Sequence, residues 1–161
     1  MRSWGIALNR FCLASWVGAA IFFVAVAIKP IRSPELESPQ RALLASLLFP
    51  GYYAFGFTLL GLAWVCLGCS RPRYWGWQLA LVTIALLLAG IDWFVIYSPL
   101  ADMTRRQWME QAAPSSSFRN YHIASMVINA TGLFFSLTAA ILACLPATDL
   151  QPKPEGFGQP H

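Results

Sequence analysis

The chain has 161 residues, of which 57% are hydrophobic and only 11% are charged, and its net charge is +4. Soluble domains carry about 25% charged residues, so this composition excludes a surface that faces water throughout and indicates one that faces lipid. The arginines lie between apolar runs and not in a basic cluster, which excludes a nucleic-acid-binding face. The expected partner is therefore the lipid bilayer, with no nucleic acid.

Four apolar stretches are each long enough to cross a bilayer, which takes about 20 residues. A backbone in lipid must satisfy its own hydrogen bonds, so each stretch is expected to be a helix. The alternating pattern of a membrane barrel is absent. The sequence predicts an all-α membrane protein, a four-transmembrane-helix antiparallel bundle over residues 1–148. The predicted spans cover residues 11–28, 42–67, 76–97 and 121–145.

The first span follows Arg2 and Arg10, a basic start that a secretory signal peptide would share. Its apolar run is longer than the usual core of about 7 to 15 residues, so we expect a retained span and not a cleaved one. Ala14 and Gly18 lie on one face of this span. Such small residues allow close helix contact, with a second copy of the chain or with a membrane partner.

The second span ends with Cys66 and Cys69, spaced as a possible redox pair. A thiol relay needs a second pair, and Cys12 and Cys144 lie alone in other spans. A reactive thiolate also needs an electropositive setting. We interpret the two cysteines as small residues in an apolar run. A membrane thiol or quinone redox protein remains the alternative.

The connections are punctuated by proline. Arg71-Pro72-Arg73 predicts a tight link between the second and third spans, and residues 99–118 are expected to form the longest loop. Residues 149–161 are rich in Pro and Gly, have little to bury, and are predicted to be a disordered C-terminal tail.

Polar residues inside a membrane are costly, so each is a candidate for function. The fourth span carries His122, Ser125 and Asn129 with the spacing i, i+3, i+7, which places them on one helical stripe. We expect this stripe to face the bundle interior, where hydrogen-bond partners are available. In an antiparallel bundle, Asp92 near the end of the third span lies at the same membrane face. The predicted polar cluster consists of His122, Ser125, Asn129, Asp92, Tyr52 and Tyr53.

Two interpretations of this cluster stay open. The polar groups hold the helices together, or they form the site of an oligomeric transporter component, because four helices are few for a solitary transporter. Asp92 has a third alternative. It lies about 8 Å from the end of its span by the helix rise, so its carboxylate could simply reach water at the headgroups.

Catalytic and cofactor signatures are missing. There is no Gly-rich phosphate loop and no nucleophile elbow. A closed zinc site needs four ligands, which no cluster offers. A haem held by two histidines would need a second one in a span, where only His122 lies. We therefore expect a protein that is not an enzyme, with no cofactor and no metal, and with a structural or small-ligand-handling role.

The basic residues do not settle orientation, since the two sides carry nearly equal numbers of them. The tight second loop contains no acidic residue, which favours both termini in the cytoplasm. The expected location is a membrane crossed several times, the inner or plasma membrane if the source is bacterial.

Four local patterns carry a resemblance. Gly18 precedes aromatic residues in the first span, and the second opens with Leu48-Phe49-Pro50-Gly51-Tyr52-Tyr53. Pro99-x-x-x-Met103 ends the third, and the fourth carries Phe118-x-x-x-His122-x-x-Ser125-x-x-x-Asn129. These patterns resemble the transmembrane protein 205-like family, also called domain of unknown function 4149. Ile123 and Thr104 depart from its usual glycine and acidic residue. The resemblance implies a four-helix membrane protein of unestablished biochemistry, with motif positions at Gly18, Phe49, Pro50, Pro99, Met103 and Phe118.

Overall fold

The structure, a computed structural model, describes residues 2–27, 29, 35–110 and 116–145. Helices account for nearly all of these residues, and none of them is in a strand. In chain order the elements are α1 (Arg2–Phe22), a π-helical segment (Phe23–Ala27), α2 (Ser38–Ser70), α3 (Trp75–Ile91), a second π-helical segment (Asp92–Tyr97), α4 (Ser98–Glu110) and α5 (Ser116–Cys144).

Four helical stretches are long and apolar enough to cross a membrane, so the predicted fold class is confirmed. Their bounds are Ser3–Val26, Leu47–Ser70, Trp75–Arg106 and Ser116–Cys144. The first stretch begins earlier than the prediction, and the third runs well beyond it. The chain is therefore an integral, multi-pass membrane protein.

The predicted loop over residues 99–118 is wrong in its first part, because the third helix continues as α4 to Glu110. A proline inside a helix removes a hydrogen bond and its ring clashes with a carbonyl one turn earlier. Here Pro99 stands in the first turn of α4, directly after the wider turns of the segment Asp92–Tyr97. This change of helix type accommodates the ring without ending the helix. Residues 111–115 and the predicted tail over 149–161 lie outside the described residues.

The four spans form a square in which neighbours run antiparallel. α1 packs beside α2 and α5, and α3 packs beside the same two helices. Gly5 of α1 lies against Ser70 at the end of α2, whereas Trp16 lies against Gly56 near its middle. The α2 contact numbers fall as the α1 numbers rise, which is the antiparallel arrangement. α1 and α3 therefore face each other across one diagonal, and α2 and α5 across the other.

The bundle interior combines large and small apolar residues. Leu13, Leu60 and Val82 are fully buried, and alanines beside them allow the helix backbones to approach closely. Leu87 and Phe94 are among the many large apolar side chains that lie exposed on the outside. An apolar exterior of this kind suits contact with lipid.

Six hydroxyl groups within the spans use their own helix as a partner. Each of these six donates to the carbonyl oxygen four residues earlier, so its donor is satisfied in hydrocarbon. The hydroxyl residues that do so are Thr58, Ser70, Thr83, Thr131, Ser136 and Thr138.

Arg10 lies inside α1 and connects it to α5. Its Nε donates to the carbonyl oxygen of Ala143 at 2.7 Å. The last carbonyls of a helix lack partners within that helix, and a cation is favourable there. The start of α1 and the end of α5 consequently lie at the same end of the bundle.

A substitution at Gly56 tests the close packing of α1 against α2. A Cβ built there would lie 2.7 Å from ring atoms of Trp16. We expect Gly56→Ala to lower the free energy of unfolding by about 1–3 kcal/mol, as overpacking does. The measurement is thermal unfolding of the purified protein in detergent.

Gly61 is the matched control on the same helix, because a Cβ there meets nothing within 4 Å among the described residues. Alanine is the better helix former, so Gly61→Ala should be neutral or slightly stabilising. Equal losses in both variants would contradict the close contact between Trp16 and Gly56.

Candidate functional site

Four polar side chains from three helical elements meet inside the bundle. Tyr53 comes from α2, Asp92 begins the second π-helical segment, and Ser125 and Asn129 lie one turn apart on α5. Asp92 is 0% exposed, and Tyr53 and Ser125 are also buried. We call these four residues the Asp92 cluster.

The hydrogen bonds of the cluster converge on one carboxylate oxygen. Oδ2 of Asp92 accepts from the Tyr53 hydroxyl and from Nδ2 of Asn129, and it accepts from the Ser125 hydroxyl at 3.1 Å. Nδ2 of Asn129 also lies 3.2 Å from the Tyr53 hydroxyl oxygen and 3.0 Å from the carbonyl oxygen of Ser125. Oδ1 of Asp92 is buried and has no hydrogen-bond partner among the described residues.

The electrostatic setting is unusual for a carboxyl group. Its three donors are neutral, and no lysine or arginine of the described chain forms a salt bridge with Asp92. An ionised carboxylate away from water is costly unless it is paired or well supplied with donors. The donors favour the ionised form and the burial favours the neutral form.

Aromatic rings close the cluster toward the end of the bundle at which α2 begins. The Tyr53 ring lies 5.0 Å from Trp93 and 5.6 Å from Tyr97, and these two rings stack at 4.8 Å. Tyr52 does not contact the carboxylate but packs against Tyr53 at 5.5 Å, and Phe23 stacks on it at 4.5 Å. We call this group the aromatic cap; its members are Phe23, Phe49, Tyr52, Tyr53, Trp93 and Tyr97.

The structure does not bring His122 into the cluster. Its side chain is exposed, and its ring lies parallel to Phe118 at 6.2 Å. Side chains on a helix tilt toward its N-terminus, so a residue near the start of α5 leans away from Asp92. The expectation that the whole stripe points inward therefore holds for Ser125 and Asn129, and it fails for His122.

The remaining motif positions are spread over the bundle. Phe49 belongs to the aromatic cap, 6.0 Å from Tyr97, and Pro50 follows it inside α2. Pro99 and Met103 lie in α4. Gly18 is exposed, and a Cβ there would meet nothing within 4 Å in the described part of the chain.

Two further polar contacts were missed by the sequence analysis. The Trp16 indole donates to the Ser136 hydroxyl at 3.2 Å, and Asn9 donates to Gln78 across the diagonal at 3.2 Å. We call these contacts the middle layer and the end layer. Asn9 lies outside the predicted first span and Gln78 near the edge of the third, so both resembled flanking residues. Asn9 lies two turns before Trp16 on the same face of α1, and this spacing could have predicted that Asn9 faces the bundle interior.

A small cavity adjoins the Asp92 cluster on the side opposite the aromatic cap. Asn129, Ser136 and Trp16 line it together with apolar residues of α2, α3 and α5. The space open to the centre of a water molecule is about 20 Å³, which is room for one water. The cavity thus connects the Asp92 cluster with the middle layer.

The Asp92 cluster offers hydrogen-bonding groups and one carboxyl group. No group of three or more His, Cys, Asp or Glu residues suited to a metal ion occurs in the described part of the chain. Cys66 is half-buried on α2, Cys69 is exposed, and both thiols are free. Neither lies in the Asp92 cluster.

A family model described as a domain of unknown function (DUF4149) matches residues 11–108, more than half of the chain. The matched range includes Tyr53 and Asp92 and ends before α5. No curated protein and no solved structure matches the chain.

Asn129 and His122 can be compared as a pair on one helix. Asn129→Ala removes a donor from the Asp92 cluster, and we expect it to lower stability by about 0.6 kcal/mol, the average for hydrogen bonds between membrane helices. His122→Ala should leave stability unchanged because its side chain is exposed. Thermal unfolding in one detergent measures both. A larger loss for His122→Ala than for Asn129→Ala would contradict the placement of the two side chains.

Proposed function

The chain belongs to the DUF4149 family, and we propose that it is a non-enzymatic structural membrane protein whose interior polar groups fix the arrangement of four helices. The observation that carries this proposal is that the interior polar groups connect different helices. Nearly every buried polar side chain of the described bundle contacts a different helix, and the contacts cross both diagonals.

The three polar sites are spaced regularly through the bundle. Asn9 and Trp16 on α1, and Asn129 and Ser136 on α5, are each seven residues apart, which is about 10 Å along a helix. The end layer joins α1 to α3, and the middle layer joins α1 to α5. The Asp92 cluster joins α2 and α5 to the π-helical segment that follows α3. A sliding or rotated helix would break contacts at several levels, so these sites specify one register.

The finer resemblance to the transmembrane protein 205-like family is also proposed. It rests chiefly on the pattern of Phe118, His122, Ser125 and Asn129 in α5, beyond the matched residues 11–108. Ser125 and Asn129 contact Asp92, which lies within that range. The position of the α5 pattern beside the matched helices supports one shared unit.

Location and assembly follow as proposals. We place the protein in the inner or plasma membrane if its source is bacterial, with both termini and the Arg71–Tyr74 link in the cytoplasm. The contact between Arg10 and Ala143 supports a common side of the membrane for both termini. A reporter fused after Ser70 would identify the compartment. Exposed Ala14 and Gly18 would suit a second copy or a membrane partner.

A double-mutant cycle tests the structural role. Trp16→Phe keeps the ring and removes its N–H, while Ser136→Ala removes the acceptor. If this contact fastens α1 to α5, the double variant should be less destabilised than the sum of the single variants, by about 0.6 kcal/mol of coupling. Thermal unfolding of the four proteins measures it. Zero coupling here and between Tyr53→Phe and Asn129→Ala would contradict a structural role for the interior polar groups.

The redox alternative makes a different prediction for Cys66 and Cys69. On the structural proposal, the Cys66→Ser, Cys69→Ser double variant keeps the melting temperature of the parent, because neither thiol contacts the polar sites. Neither protein should couple oxidation of a dithiol to reduction of a soluble quinone, as followed by absorbance. Cys144→Ser is the matched control, with an exposed thiol on α5. Activity lost only in the double variant would establish the redox function instead.

A further inference from the structure

Two buried polar atoms, Oδ1 of Asn9 and Oδ1 of Asp92, have no hydrogen-bond partner among the described residues, and the second belongs to a carboxyl group. Oδ2 of Asp92 receives all three donors of the cluster, whereas Oδ1 is buried and receives none from the described residues. Buried polar atoms are nearly always hydrogen-bonded, so such an orphan calls for an explanation. The carboxyl group therefore has one oxygen that accepts from three donors and one oxygen to which no described residue donates.

The surroundings limit what can occupy Oδ1. Asp92 is 0% exposed, and the aromatic cap packs its rings at centroid distances of 4.5–6.0 Å on one side. The cavity on the other side has room for one water and is lined in part by Asn129. A metal ion with its ligands or an organic cation needs more volume than this. A proton is the one ligand that needs no additional volume at Oδ1.

Among the described residues, the charged groups around Asp92 favour neither the ionised nor the neutral form of its carboxyl group. Titratable groups that face it are the tyrosines Tyr52 and Tyr53 of α2 and Tyr97 of its own π-helical segment, and α3 contains no charged residue. Ser125 and Asn129 of α5 are neutral. Five ionisable side chains of α4 and the start of α5 are exposed; they are Asp102, Arg105, Arg106, Arg119 and His122.

We propose that Asp92 is an exchangeable proton-binding site within the membrane, with the proton on Oδ1 and the Tyr53, Ser125 and Asn129 donors holding Oδ2. In the exchange, hydronium transfers a proton to the carboxylate and leaves as water, so that a carboxylic acid forms. The three donors support the ionised state, and the neutral state removes a buried charge that no cation among the described residues offsets. This function goes beyond the proposed structural role.

The cavity supplies a route for the exchange. A water molecule there would meet the Asn129 amide and the Ser136 hydroxyl, which gives it two polar partners. It would lie one side chain away from the carboxyl group. The aromatic cap excludes water from the opposite side, so exchange proceeds through the cavity.

Infrared difference spectroscopy of the full chain in lipid nanodiscs tests the proposal. Between alkaline and acidic buffer, the wild-type protein should gain a carbonyl stretching band of a buried carboxylic acid. Asp92→Asn should lose this band, and Asp102→Asn, which removes an exposed carboxyl of α4, should keep it. A wild-type band that is absent, that does not change with pH, or that persists in Asp92→Asn would overturn the proposal.

Ser125→Ala keeps the carboxyl group and covers the case in which Asp92→Asn fails to fold. Removing a hydrogen bond to Oδ2 should shift the band to higher frequency if Oδ2 is the carbonyl oxygen of the acid; an unshifted band would refute the assignment. Ser136→Val should slow deuterium exchange of the band, and an unchanged rate would refute the route. A stable bundle without the band would leave the structural role intact and reject only proton binding.

Discussion

Hydrocarbon offers no hydrogen-bond partner, and this single constraint accounts for most of the interior of the protein. The backbone satisfies itself in helices, and several hydroxyl groups of the spans bond to their own helix four residues back. Longer polar side chains also reach another helix, as Asn9 and Asn129 do. Lipid tails are as apolar as leucine, so burial of apolar surface drives insertion more than association of the helices. The polar contacts and the close approaches, such as that of Trp16 and Gly56, therefore select the arrangement.

The change of helix type at Asp92 links the fold to the site. The third helix switches from α to π at that residue and returns to α at Ser98, directly before Pro99. Trp93 and Tyr97 stack on each other within this segment and pack on Tyr53, while Asp92 and Ile96 point into the bundle. Wider turns of this kind are frequent at functional sites. One local feature thus keeps the helix continuous past a proline, builds much of the aromatic cap and aims the carboxyl group inward.

The sequence predicted the fold class, which depends on composition. It did not predict the features that depend on the detailed geometry of the helices. Four apolar runs predicted the fold class. The rule that polar groups in spans face inward predicted the positions of Ser125 and Asn129, and antiparallel packing placed Asp92 and Tyr53 at the same membrane face. The same rule misplaced His122, since helical spacing ignores the tilt of side chains toward the start of a helix.

Proline statistics predicted a loop at residues 99–118, because a π-helical segment leaves no signal in composition. Asn9 and Gln78 were missed for a different reason. Asn9 lies before the predicted first span, although α1 already includes it, and Gln78 lies only two residues after the start of the predicted third span. The limits of the prediction therefore coincide with the ends of the spans and with changes in helix type.

An amide at position 92 would serve a purely structural cluster well. Its carbonyl oxygen could accept hydrogen bonds from Tyr53 and Ser125 without bringing a charge into the membrane. A carboxyl group differs from that amide in two respects: it can be ionised, and it can exchange a proton. The first property is a cost at Asp92, a buried residue that pairs with no cation among the described residues. The second is the only gain that matches the placement of Oδ1, which lies outside the hydrogen bonds that hold the helices together. The contacts that fix the bundle and the atom available for exchange thus occupy opposite sides of one carboxyl group, so protonation can change its charge while the donors on Oδ2 keep their positions.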